Sequence, residues 1–167
     1  MLEKIAHCAV IAVCCLVAFE AVRLPSSSSS NGEESRQLVG TTLSIPGARW
    51  NTPAAHNLVV AVSSRCKYCR QSAPFYRSLS QLHLVQPERF QFIVVSGDKP
   101  EELSQFLSTN AIAPDQAVTA SLKGLGIRST PTIVVADSRG RVQSSFIGSL
   151  SSEQERSLMA LLDVAHH

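Results

Sequence analysis

The sequence predicts an α/β domain, a mixed central sheet with helices on both faces, behind an N-terminal transmembrane helix. Three observations carry this. Short apolar, β-branched runs alternate with stretches of helical spacing, and the alternation ends in a hairpin. A Cys-Lys-Tyr-Cys motif stands where a strand gives way to a helix. A long apolar run opens the chain, and a serine tract divides it from the rest.

Ile5 to Phe19, IAHCAVIAVCCLVAF, is apolar except for His7. Extended to Leu24 it is about long enough to cross a thin hydrocarbon core as a helix. Lys4 and the terminal amine before it and Arg23 after it give a slight bias towards an inside N-terminus. The core of the run also has the length of a secretory h-region, so a cleaved signal is the alternative. Against cleavage, AFEA pairs Phe19 with Ala21 or Ala18 with Glu20, and neither pair is small at both positions. Val13 before Cys14, and Cys14 before Cys15, make a poor lipoprotein site. Residues 25–37 follow as a flexible Ser-rich linker, and the folded domain is expected over 38–167. An anchor, a tether and a domain imply placement at the outer side of a cytoplasmic membrane, or secretion if the signal is cut. Either compartment is oxidising.

Within the domain, NLVVAVSS (57–64) reads as a buried strand. Phe75, Leu79, Leu82 and Val85 give helical spacing from Cys66 to Gln86, with Pro74 inside it and Pro87 at its end. FQFIVVSG (90–97) is a second buried strand. Pro100 opens a helix with Glu101 and Glu102 in its first turn, and Leu103, Phe106 and Leu107 face inward. Residues 129–148 read as strand, turn at 137–140, and antiparallel strand. Ser151 or Ser152 caps a last helix whose buried face is Leu158, Leu161, Leu162 and Ala165.

The chain has 167 residues, 44% hydrophobic and 17% charged, enough for one core of ordinary size plus an appendage. A net charge of +2, with no basic tract and no glycine-rich phosphate loop, argues against nucleic acid as a partner. Of five cysteines, Cys8, Cys14 and Cys15 lie in the apolar run, so a disulfide-stapled mini-fold is excluded.

Cys66 and Cys69 remain. A helix start offers unpaired N–H groups and a positive dipole end, which favour a thiolate. Arg65, Lys67 and Arg70 add positive charge, and no Asp or Glu lies between Glu34 and Glu88. Such surroundings lower a cysteine pKa, and the thiolate is the nucleophile of disulfide exchange. Cys66 is expected to attack and Cys69, one turn deeper, to resolve. The motif is also half a zinc site. Tetrahedral zinc wants four ligands, however, and the domain offers only scattered histidines: His56, His83, His166 and His167. A copper or zinc chaperone using the same two sulfurs is the competing function. An inert bridge closing so short a loop would stabilise little. Tyr68 is a substrate contact or simply exposed.

A strand, C-x-x-C at a helix start, Pro74 five residues after Cys69, and GIRSTPTIVV (126–135) together resemble the thioredoxin fold. The wider spacing between Cys69 and Pro131, the N-terminal anchor and the ADSRGRVQSSFIGSLSSEQ ending are similar to the TlpA/ResA-like membrane-anchored thiol–disulfide oxidoreductases. The resemblance covers about residues 38–165 and implies a thioredoxin-like three-layer fold. It implies Pro131 as a cis-proline beside the dithiol and Thr130 as the residue that pairs with an extended substrate. It implies protein thiols or disulfides as substrates, a redox partner protein, and no cofactor beyond a redox-active Cys66–Cys69 disulfide.

This chain departs from that pattern at Arg65, where tryptophan is usual, at Val60, where thioredoxins bury an acid, and at Ser72, where many ResA-like members have glutamate. Those acids help move protons at the resolving thiol in the family, so that task has no obvious owner here; Asp98, Glu101 or Asp115 could reach the site. Thr130–Pro131 and the Lys67–Tyr68 insert are closer to periplasmic disulfide isomerases, so the redox direction stays open.

Overall fold

The computed structural model describes residues 29–50, 54 and 56–163. In chain order these form α1 (Ser29–Leu38), β1 (His56–Val62), α2 (Lys67–Gln71), α3 (Ala73–Val85), β2 (Phe90–Ser96), α4 (Pro100–Thr109) and β3 (Gln116–Thr119). A 3-10 turn (Lys123–Leu125), β4 (Thr132–Ala136), β5 (Val142–Ile147) and α5 (Ser152–Asp163) complete the domain.

The strands form one sheet in the order β3-β2-β1-β4-β5. β1 pairs parallel with β2, and β2 with β3; β4 runs antiparallel to β1, and β5 to β4. The expected mixed sheet is therefore present. β1 and β2 are buried at every position, which is why they read as unbroken apolar runs rather than as alternation.

Successive residues feed two cores. Leu58, Val60, Val62, Phe92, Val94, Ile133 and Val135 point to the face covered by α3, α4 and α5, through Tyr76, Leu79, Leu103, Phe106, Leu158 and Leu162. Val59, Ala61, Ile93, Val95 and Val134 point to the other face. That face is covered by Leu38 at the end of α1, by Leu43 and Ile45, and by the 3-10 turn and Ile127. The helical cover expected on both faces is thus unequal: α3, α4 and α5 pack on one, while the other receives the end of α1, the 3-10 turn and loop residues.

Four expectations change in detail. The single helix over Cys66–Gln86 is two, α2 and α3, meeting at Ser72. Pro74 has no N–H and its ring crowds the carbonyl four residues back, so it sits in the first turn of a new helix instead of inside a long one. The linker expected over 25–37 is helical from Ser29 as α1. β3 lies in a stretch that carried no strand signal, being four residues long with alternate positions exposed. Leu161, expected on the buried face of α5, is exposed, while Leu158 and Leu162 are buried.

Other signals hold. Glu102 reaches back to the Lys99 N–H at the start of α4. Ser151 and Gln154 exchange side-chain and backbone bonds as a capping box for α5. The β4–β5 turn closes on Asp137, whose carboxylate accepts from the Arg139 and Arg141 amides. Gly140 is required there. Its φ is +78°, and a Cβ would stand 2.9 Å from the Leu43 carbonyl oxygen. Among the described residues no helix is long and apolar enough to cross a membrane. The apolar run at 5–24, Ala165 and the two terminal histidines lie outside the described residues.

Candidate active site

The chain leaves the central strand β1 at Val62, turns through 63–65 and enters α2, so Cys66 is placed by the sheet as much as by its helix. Cys66 is the N-cap of α2. Its backbone is extended and its sulfur accepts the Cys69 N–H at 3.2 Å. On its other side the Cys66 thiol faces the Thr130 carbonyl oxygen at 3.2 Å. The Thr130–Pro131 peptide bond is cis. The structure thus brings together Cys66, Cys69, Thr130 and Pro131 from opposite ends of the domain sequence.

The two sulfurs differ in surroundings. Cys66 is half-buried and Cys69 fully buried, packed against the core beside Ala73 and Tyr76. Burial opposes ionisation of Cys66. It is outweighed by hydrogen bonds from the Cys69 thiol, the Thr130 side chain and the Cys69 and Tyr68 amides, so the Cys66 pKa is held below the usual thiol value. Burial pushes the Cys69 thiol up to about 12, helped by its hydrogen bond to Cys66 and the negative charge there.

The loop before Cys66 is braced from below. The Asp98 carboxylate, at the end of β2, accepts from the Ser64 N–H and from the Ser63 hydroxyl at 3.1 Å. Burial works against its ionisation, but the bonds from Ser64, Ser63 and Ser96 prevail and hold its carboxyl below the usual range. The Ser63 carbonyl in turn accepts the Cys66 N–H at 3.1 Å. Arg70 reaches back to the Ser64 carbonyl at 2.9 Å.

The cations stand differently from the sequence expectation. The Arg65 side chain is 82% exposed, and its guanidinium lies 3.8 Å from Asp98. Lys67 is exposed. The bonds that lower the Cys66 pKa come from Cys69, Thr130 and Tyr68 instead. Tyr68 is 58% exposed beside the half-buried sulfur.

Of the three acids that could reach the site, only Asp98 meets the dithiol loop. Asp115 is committed to His83, at 2.8 Å, and to the Phe92 N–H at 2.8 Å. Glu101 is exposed in the first turn of α4. Val60, where an acid would lie beneath the motif, is buried among apolar side chains.

Two residues of the site escaped the sequence reading. Tyr76 is buried in the same core as Cys69, its amide donates to the Ser72 carbonyl, and burial, with charge on Cys69 and Cys66, raises its pKa. Its position one turn before Leu79 on the core face was the available signal. Glu34 caps the segment leading to Thr130, accepting from the Arg128 and Ser129 amides at 2.9 and 3.1 Å and from the Ser129 hydroxyl at 2.9 Å. Only its isolation marked it: it is the last acid before Glu88. Among the described residues no group of three His, Cys, Asp or Glu is placed to hold a metal ion.

Solved structures share this architecture. A thiol:disulfide interchange protein from a Bacteroides species is 16% identical, with 77% of this chain and 93% of that one aligned at a TM-score of 0.60. A thiol-disulfide isomerase from Corynebacterium glutamicum is 17% identical over 74% of this chain and 91% of its own, at 0.57. StoA from Bacillus subtilis is 16% identical over 73% and 98%, at 0.53. At these identities the likeness establishes the fold. No curated protein sequence matches the chain. The thioredoxin-like domain family matches residues 52–162, from just before β1 into α5, and the chain belongs to that family.

Proposed function

We propose that the protein is a thiol–disulfide oxidoreductase acting on protein thiols and disulfides, tethered by its N-terminal segment at the outer side of a cytoplasmic membrane. One observation supports this above the rest: the two thiols of one short motif are driven in opposite directions. Cys66 is held below the usual thiol pKa and Cys69 is pushed up to about 12. A dithiol exchanger needs that inequality, with one sulfur ionised and reachable and the other protonated until its turn.

The Cys66 thiolate attacks one sulfur of a substrate disulfide. A Cys66–substrate bond forms, the substrate S–S bond breaks, and the second substrate sulfur leaves as a thiolate. Cys69 loses its proton and attacks Cys66. The intramolecular disulfide forms and the substrate leaves as its second thiol. Two electrons have moved from the dithiol to the substrate; the reverse sequence oxidises a substrate dithiol, and the partner's potential sets the direction. Ionisation of Cys66 removes the proton it shares with Thr130. The Thr130 carbonyl is then left to accept an amide from an extended substrate segment, a small piece of strand addition beside Pro131. Tyr68 offers an apolar contact on the open side. Named for what they are, the neighbours of known structure include interchange and isomerase proteins, which agrees with this chemistry.

The test is covalent trapping. In the full chain Cys69→Ser should accumulate mixed disulfides on Cys66 that reductant releases, whereas Cys66→Ser should accumulate none. Absence of adducts on Cys69→Ser, with no exchange by the unaltered protein, would sink the proposal. Tight copper or zinc binding in that case would install the chaperone reading in its place.

A further inference from the structure

We propose that Glu34 is a positioning residue for the substrate-binding wall, acting through the backbone that presents Thr130. The proposal rests on the oxidoreductase reading and adds a part that neither the motif nor the fold supplies.

The segment from Arg128 to Pro131 joins the 3-10 turn to β4 and lies outside both, so its backbone needs partners. It finds them on both sides of Thr130. The Glu34 carboxylate accepts from the Arg128 amide, the Ser129 amide and the Ser129 hydroxyl, all within 3.1 Å. The Ser129 carbonyl accepts from the Thr132 hydroxyl at 2.7 Å, and the Pro131 carbonyl from the Gly148 amide at 2.7 Å. Thr130 is suspended between these ties with its carbonyl at 3.2 Å from the Cys66 sulfur. Two consecutive amides and a hydroxyl converging on one carboxylate make a strong, charge-assisted anchor.

Glu34 is itself aimed by its helix. The Ser35 hydroxyl donates to the Ser145 carbonyl at 2.7 Å, and the Ser145 hydroxyl donates to the Ser35 carbonyl at 2.8 Å, fastening α1 to β5. Leu38 is buried in the second core. The sequence of α1, SSNGEESRQL, contains glycine, asparagine and serines, and ten such residues would not hold a helix alone in water. Its order comes from these contacts, and Glu34 is the contact that reaches the wall. Loosening that wall should weaken the capture of an extended segment and leave the reactivity of the sulfur alone.

The experiment uses the full chain as wild type, Glu34→Ala, Glu34→Gln and Ser35→Ala. Two disulfides are compared: a cystine-bridged peptide, which needs the wall, and 2-hydroxyethyl disulfide, which does not. Glu34→Ala should raise KM for the peptide about tenfold, the worth of one net charge-assisted hydrogen bond, with kcat and the pH profile of Cys66 alkylation changed by less than about twofold. Glu34→Gln should restore most of the loss, because its amide oxygen still accepts from the two N–H groups. Ser35→Ala, which loosens the fastening of α1 and leaves the carboxylate in place, should raise the peptide KM by a smaller step, about threefold. Amide exchange at Arg128, Ser129 and Thr130 should quicken in Glu34→Ala.

Equal loss on both disulfides or unaltered amide exchange would overturn the proposal. Should Glu34→Ala fail to fold, Ser129→Ala removes one of the three donors and should raise the peptide KM about threefold; no rise overturns it. If the wild type turns over neither disulfide, the oxidoreductase reading falls, and amide exchange alone decides whether Glu34 orders this backbone.

Discussion

The rim and the floor of the dithiol share one short helix and little else. At the rim, Cys66 caps α2, half-exposed, with amides and the Thr130 side chain directed at its sulfur. At the floor, Cys69 is buried against Ala73, Tyr76 and the β1 side chains, where a charge has nothing to solvate it. The difference teaches that the end of a helix and the depth of a sheet divide labour between two identical thiols. Charged neighbours in sequence contribute less, because their side chains run out into water.

The strongest way to break that contrast is to measure both acidities. Cys69 at about 12 and Cys66 below 9.0 are more than about three units apart, a thousandfold or more in thiolate fraction at neutral pH. The less basic sulfur is intrinsically the weaker nucleophile, which returns about half of that on a logarithmic scale. Alkylation of the reduced protein at pH 7 should therefore modify Cys66 at least about thirtyfold faster than Cys69, read by mass spectrometry of the two sites. The Cys66 rate should climb with pH and level off below 9.0, while the Cys69 rate keeps climbing beyond it. Two profiles that coincide would erase the distinction between rim and floor.

Asp98 offers a middle-sized test, since it braces the rim and leaves the floor alone. Asp98→Ala leaves the half-buried Ser64 amide and Ser63 hydroxyl without their acceptor and should cost about 1–2 kcal/mol in chemical denaturation at pH 7. The sign with pH follows from its lowered carboxyl pKa. The stabilisation is fully present above the unfolded value of 3.8 and is lost as pH falls through the lower, folded value. The gap between wild type and Asp98→Ala should accordingly narrow below pH 3.8. Alkylation should shift at Cys66 and not at Cys69. A gap that widens in acid would show that the carboxylate is not the stabilising form.

How much of this could be read from the residues alone depends on sequence separation. Cys66, Cys69 and the strand before them are local signals, and Pro131 with its apolar strand is a second local signal; their pairing came from resemblance. Pro74 announced a disturbance in the helix, but whether it kinks or divides it depends on Ser72 supplying the carbonyl that starts α3. Asp98 was in view as an acid near the site. Its hold on Ser63 and Ser64 was not, because that contact spans 34 and 35 positions. Glu34 was hidden further, since its partners lie 94 and 95 positions away and its helix opens on serines, asparagine and glycine that read as linker. β3 failed to register because it is a four-residue edge strand, too short for its alternation to stand out from a loop.

The smallest expected effect concerns the cations at the rim. Arg65 holds its guanidinium towards Asp98 with most of its side chain in water, and Lys67 is exposed one position past Cys66. An exposed pair of charges interacts by about 0.2–1 kcal/mol at most, and physiological salt screens it over about 8 Å. Replacing both, as Arg65→Ala with Lys67→Ala, should move the midpoint of Cys66 alkylation by less than about one unit, and added salt should move the wild-type midpoint by no more. Removing the Thr130 hydroxyl by Thr130→Val should raise it, because that side chain is among the groups that hold the Cys66 pKa down. A shift of a full unit from the paired cation variant, collapsing in high salt, would return the control of this thiolate to its charged neighbours and take it from the hydrogen bonds at the head of α2.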